Sequence, residues 1–109
     1  MTEIEKIVNR QRKYFAAGKT KSYAFRIRAL TELENSIRFH EKELNDALKK
    51  DLNKSRMESY MTETGMVLSE ISYLKKHLAG WMREKPVLTP LAQFHGRSFE
   101  VKEPYGVVL

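Results

Sequence analysis

The sequence predicts a mostly α chain of about four helices, followed by a strand-turn-strand. Three observations predict it. Tyr60, Thr64, Val67, Ile71, Leu74, Leu78 and Trp81 recur at alternating steps of four and three, the spacing of a helical seam. Thr2-Glu3-Ile4-Glu5 and Ser55-Arg56-Met57-Glu58 both have the form of a capping box, which opens helices. Beyond Pro86 and Pro90 the helical period stops, and Phe99 and Val101 alternate with polar neighbours as in a half-buried strand.

Each element follows in turn. Ile4, Ile7, Val8, Gln11, Tyr14 and Phe15 share a helical face over about 3–17, and Gly18 is a C-terminal stop. Thr20 or Ser22 caps a second helix, with the stripe Tyr23, Ile27, Leu30, Leu33 and Ile37 and an exposed Glu34–Arg38 pair four residues apart. A third, roughly 41–51, carries Leu44, Ala47 and Leu48; a bend near Phe39-His40 would make one rod of the second and third. The fourth, about 56–83, holds the seam. Gly65 sits inside it at a cost of about 1 kcal/mol against alanine, which close packing against a neighbour would explain. Residues 86–97 read as an extended connector. Ser98–Lys102 reads as a strand, Glu103-Pro104-Tyr105-Gly106 as a turn, and Val107-Val108-Leu109 as the start of a fully buried strand. A buried strand with nothing after it predicts the front of a larger protein.

Composition narrows the function classes. No apolar run approaches the ~18 residues of a membrane span, and no basic-then-apolar leader is present, so the default compartment is cytoplasmic. Without cysteine there is no disulfide, thiolate metal site or cysteine nucleophile among these residues. The net charge of +6 belongs to residues 1–28, where eight Lys and Arg face Glu3 and Glu5. Tyr14, Phe15, Tyr23 and Phe25 interleave with those cations. That pattern fits nucleic-acid binding, with cations on phosphates and rings on bases. It fits better a core stripe with a solvated basic face.

No glycine cluster forms a phosphate-cradling loop. His40-Glu41 opens like a zinc-protease motif, but position 44 is leucine, and His77 and His95 lack a ligand-spaced partner; no metal is expected. Met57, Met61, Met66 and Met82 recur along the fourth helix, either as core filling or as an adaptable apolar lining.

Four stretches resemble the N-terminal segment of aldehyde dehydrogenases, particularly the class-3-like branch acting on fatty and aromatic aldehydes. They are Gly18-Lys19-Thr20 with Phe25-Arg26-Ile27-Arg28-Ala29-Leu30, Ala47-Leu48-Lys49-Lys50-Asp51-Leu52-Asn53-Lys54, Val67-Leu68-Ser69-Glu70-Ile71-Ser72-Tyr73, and Glu103-Pro104-Tyr105-Gly106-Val107-Val108-Leu109. The resemblance implies the N-terminal part of an α/β aldehyde dehydrogenase fold: residues 1–85 as the helical part of the dinucleotide-binding domain, 86–97 as connector, and 98–109 as a bridging strand and the first nucleotide-sheet strand. It implies an NAD- or NADP-dependent parent that oxidises aldehydes to carboxylic acids, a homodimer, with the remainder of its own chain as partner. No catalytic, cofactor-binding or metal residue is expected among these residues, and the segment alone is not expected to be active. The fourth helix would border the substrate entrance, with Met66, where the family often has an aromatic, lining it. The alternative is a basic helical module that binds nucleic acid or protein.

Overall fold

The computed structural model describes residues 1–108. In chain order it contains α1 (Glu3–Ala16), α2 (Tyr23–Phe39), α3 (Glu41–Leu52), α4 (Arg56–Ser59), a π-helical turn (Tyr60–Thr64), α5 (Gly65–Trp81), β1 (Lys85–Val87), a 3-10 turn (Leu91–Gln93) and β2 (Ser98–Glu100). The chain divides into two compact units, residues 26–78 and residues 1–25 with 79 onward.

Helix starts follow the capping chemistry. The Thr2 hydroxyl accepts from Glu5 N at 3.2 Å, and Thr2 N donates back to the Glu5 carboxylate at 2.6 Å. Of the two caps the sequence offers for α2, Ser22 is used: its hydroxyl accepts from Phe25 N at 3.1 Å. The expected bend lies at His40, whose backbone leaves the helical region (φ −94°, ψ 11°). The Ser36 carbonyl accepts from both the His40 backbone N (3.0 Å) and Nδ1 (2.8 Å), which fixes the break. Asn53 ends α3 in the left-handed region (φ 54°), its side chain accepting from Lys49 Nζ at 2.7 Å.

In the unit of residues 26–78, Leu68 and Ile71 are buried together with Ser59 and Thr64. The seam needs correction here. Thr64 and Ile71 lie on it, but Tyr60 and Val67 are exposed, and Ser59 and Leu68 take the buried positions. The π-turn is the reason for the first exchange. It accommodates an extra residue, so the side chain one turn before Thr64 is Ser59, five residues back. Glu34 ties α2 to α5 by accepting from Lys75 Nζ at 3.1 Å and from Arg38 at 3.3 Å. These two cations, Lys75 first, hold its carboxyl below its ordinary value of 4.5.

In the other unit, β1 pairs antiparallel with β2 in the register Lys85 to Glu100, Pro86 to Phe99 and Val87 to Ser98. The residues read as the connector's beginning are therefore a strand. Proline is tolerated because β1 is an edge strand with an unpaired side. Phe99 on this two-stranded ribbon and Val101 just beyond it are about half exposed. Val107 and Val108 form no strand, since no strand among the described residues lies beside them; Leu109 lies outside the described residues. Gly106 adopts a φ of 97°, and a Cβ there would lie 3.4 Å from the Phe15 ring, so the turn rests on α1.

Candidate functional site

The π-turn is the most unusual local structure of the chain, and it sets out the candidate site. Ser55 caps α4, its hydroxyl accepting from Glu58 N at 3.2 Å. One turn later the Tyr60 carbonyl accepts from the Gly65 backbone N and closes the π-turn. A Cβ at position 65 would overlap that carbonyl oxygen and lie 3.2 Å from the Tyr60 ring, so the bond depends on glycine. The expected explanation for Gly65, packing against a neighbouring element, is replaced by this local one. On the outer face Lys54 Nζ donates to Thr62 Oγ1 at 3.1 Å and to the Glu63 carboxylate at 2.8 Å. Thr62 Oγ1 donates to the Glu58 carbonyl at 2.7 Å. On the inner face the Ser59 and Thr64 hydroxyls are buried without a hydrogen-bond partner among the described residues.

The turn carries Tyr60 and Met61 to the same surface as Met66. Together with Gly65, Ser69 and Glu70 they frame an open cleft of about 350 Å³. Met66 is 62% exposed at its edge, and Met61 is similarly open. Core filling therefore does not describe Met57, Met61 or Met66, all of which are exposed; Met82 is half-buried. Thioethers and a phenol ring give such a cleft an adaptable apolar wall, suited to a flexible hydrocarbon chain. The sequence points to Met66, and to Met61 among the methionines of an apolar lining, but misses Tyr60. The available signal was Gly65, a helix-weakening residue inside a strong period. Among the described residues, no group of three or more His, Cys, Asp or Glu could hold a metal. No described helix is long and apolar enough to cross a membrane.

No family model matches the chain. Individual proteins do. The chain is 38% identical, over all of its length and 24% of the relative's, to 4,4'-diaponeurosporen-aldehyde dehydrogenase of Staphylococcus aureus. It is 41% identical, again over all of its length and 24% of the relative's, to the dimeric NADP-preferring aldehyde dehydrogenase of Canis lupus familiaris. Aldehyde dehydrogenase family 3 member B3 of Mus musculus is 38% identical over 97% of the chain and 22% of that protein. The chain is similar to the N-terminal part, about 23%, of these aldehyde dehydrogenases. The solved substrate-bound state of Staphylococcus aureus AldH matches with a TM-score of 0.90 and 36% identity, covering 96% of this chain and 23% of that one. The segment thus spans about a quarter of the length of the curated relatives it matches.

Proposed function

We propose that this segment forms the front of an NAD(P)-dependent enzyme that oxidises aldehydes to carboxylic acids. One observation carries the reading: sequence identity and backbone agreement run through nearly the whole segment, toward proteins named for that activity. The nucleophile in this chemistry is a cysteine thiolate, which lies outside these residues because none of them is cysteine. The dinucleotide, when bound, takes the hydride. The segment's own contribution is scaffolding and access. Residues 1–85 belong to the helical part of the dinucleotide-binding domain, 86–97 connect once β1 has ended at Val87, and 98–109 lead through a bridging strand toward the nucleotide sheet. The β1–β2 pairing supports a ribbon at that place. Met66 lines the aldehyde entrance. The enzyme is a cytoplasmic homodimer, a reading supported by a relative named as dimeric.

The test is reduced-dinucleotide formation by the full gene product, with NAD+ or NADP+ and a series of short and long aldehydes. Turnover is expected. Met66→Ala should raise KM for long aldehydes about fivefold, the equivalent of ~1 kcal/mol of apolar contact, and leave short ones unchanged. No turnover with any aldehyde would refute the activity. An unchanged KM at every chain length would remove Met66 from the entrance.

A further inference from the structure

A second cleft, of about 690 Å³, opens at the α2–α3 bend, and the aldehyde dehydrogenase reading gives it no role. Five cations line it: Arg38 at the end of α2, Lys42 and Lys49 on α3, Lys54 in the following loop and Arg56 on α4. Glu41 and Asp46 share the wall, and Glu34 and Glu63 outside it pair with Arg38 and Lys54, so that Lys42, Lys49 and Arg56 are the lining cations without an ion pair among the described residues. Lys42 and Lys49 are seven residues apart, two helical turns, and so lie on one face of α3.

Three of these cations are held from outside the cleft. Arg38 donates to Glu34 at 3.3 Å, Lys49 to Asn53 Oδ1 at 2.7 Å, and Lys54 to Glu63 at 2.8 Å and Thr62 at 3.1 Å. None of those four partners lines the cleft. An ammonium has three N–H donors and a guanidinium five, so each held group keeps donors to spare while its position is constrained. Lys42 and Arg56 make no ion pair among the described residues. Like charges lining one cleft repel each other, and a multiply charged anion relieves that repulsion more fully than a single carboxylate. Phe39, 82% exposed, stands at the rim and offers a ring face to any planar group attached to the anion.

We infer that this cleft binds a small phosphate-bearing anion of diphosphate size, with Lys42 and Arg56 as its principal contacts. The inference is independent of the aldehyde reaction. Two sources share this chemistry, inorganic pyrophosphate and a nucleoside diphosphate, and Phe39 would favour the second.

The experiment is calorimetric titration of the full gene product with inorganic pyrophosphate and with ADP, at low ionic strength and with NAD+ saturating so that any dinucleotide site is occupied. One saturable site is expected. Lys42→Gln and Arg56→Gln should each weaken it about tenfold, the loss of one charge-assisted hydrogen bond. Lys6→Gln and Arg10→Gln, which remove the same charge elsewhere, should leave it unchanged. Tighter binding of ADP that falls to the pyrophosphate level in Phe39→Ala identifies an organic ligand; equal binding of both identifies the inorganic one. The absence of saturable binding, binding unaffected by the Lys42 and Arg56 variants, or equal weakening in the control variants would overturn the inference.

Discussion

Gly65→Ala separates two physical accounts of the fourth helical rod. Helix propensity alone makes it stabilising by about 1 kcal/mol, because alanine restricts the unfolded chain more than glycine does. The structure opposes this. The new Cβ would meet the Tyr60 carbonyl oxygen, a backbone atom that bonds Gly65 N and cannot rotate away as a side-chain tip could. The Tyr60 carbonyl carbon and ring carbon, both 3.2 Å from that Cβ, block small adjustments. Losing the closing hydrogen bond costs ~1 kcal/mol, and forcing the extra methyl into the turn costs ~1–3 kcal/mol. After the propensity gain the net expectation is a loss of ~1–3 kcal/mol. At ~4–8 °C per kcal/mol for a domain of this size, Tm should fall by roughly 5–20 °C in a far-UV circular dichroism melt. Gly80→Ala is the control, since its Cβ would meet nothing within 4 Å. It should gain up to ~1 kcal/mol. If Gly65→Ala melts at or above the wild-type temperature, the turn does not depend on glycine and the geometric argument fails.

The other predictions concern the supports around that rod. Because the Glu34 carboxyl is held below its ordinary 4.5, its pairing stabilises the fold fully above that value, and the contribution is lost as pH falls through the lower folded value. Glu34→Gln should therefore flatten the acid limb of a stability-against-pH curve below about 4.5 and reduce stability at neutral pH; an unaltered acid limb would show that the Lys75 and Arg38 pairing does not stabilise the fold. Asn53→Ala should cost ~1 kcal/mol, from the left-handed backbone and the lost Lys49 bond, whereas Asn53→Gly should be close to neutral. Equal melting of the two variants would contradict that.

Helix number and most helix boundaries were legible because they rest on local chemistry. Thr2 with Glu5, Ser22, and the break at His40 act within one turn of their own sequence positions. The π-turn was not legible because a seam is read from apolar residues at a period near 3.6, whereas the positions that betray the inserted residue, Ser59 and Thr64, are polar. The burial of Leu68 in place of Val67 is a separate matter: Thr64, Leu68 and Ile71 step by four and three as well as the expected set does, and two adjacent apolar residues leave the choice open. The β1 strand was hidden for a different reason. Pro86 argues against a strand, and its partner Phe99 lies across a loop without a tight-turn signature. Pairing between distant residues is set by tertiary context, which local patterns do not encode.

The likeness to aldehyde dehydrogenases was legible only through the order of motifs along the chain, because composition and spacing alone did not point to it. What the structure adds is a physical reason to set aside the competing nucleic-acid module. That reading needs the rings interleaved with the basic residues of 6–28 to be open for stacking on bases. Lys19 Nζ lies 5.7 Å from the centre of the Tyr14 ring, and Lys21 Nζ lies 5.9 Å from that of Phe15. Each contact is worth only ~0.5–1 kcal/mol at an exposed site, yet it sets the chain's own cation against the Tyr14 and Phe15 rings, in competition with a stacked base. Phe15 is also in contact with the backbone at Gly106. The basic stretch and the terminal Glu103-Pro104-Tyr105-Gly106 turn are thus parts of one packed arrangement. The Phe15 ring, with the turn at Gly106 packed beside it, is used within the chain's own structure, as a scaffold requires and a stacking surface for nucleic acid does not.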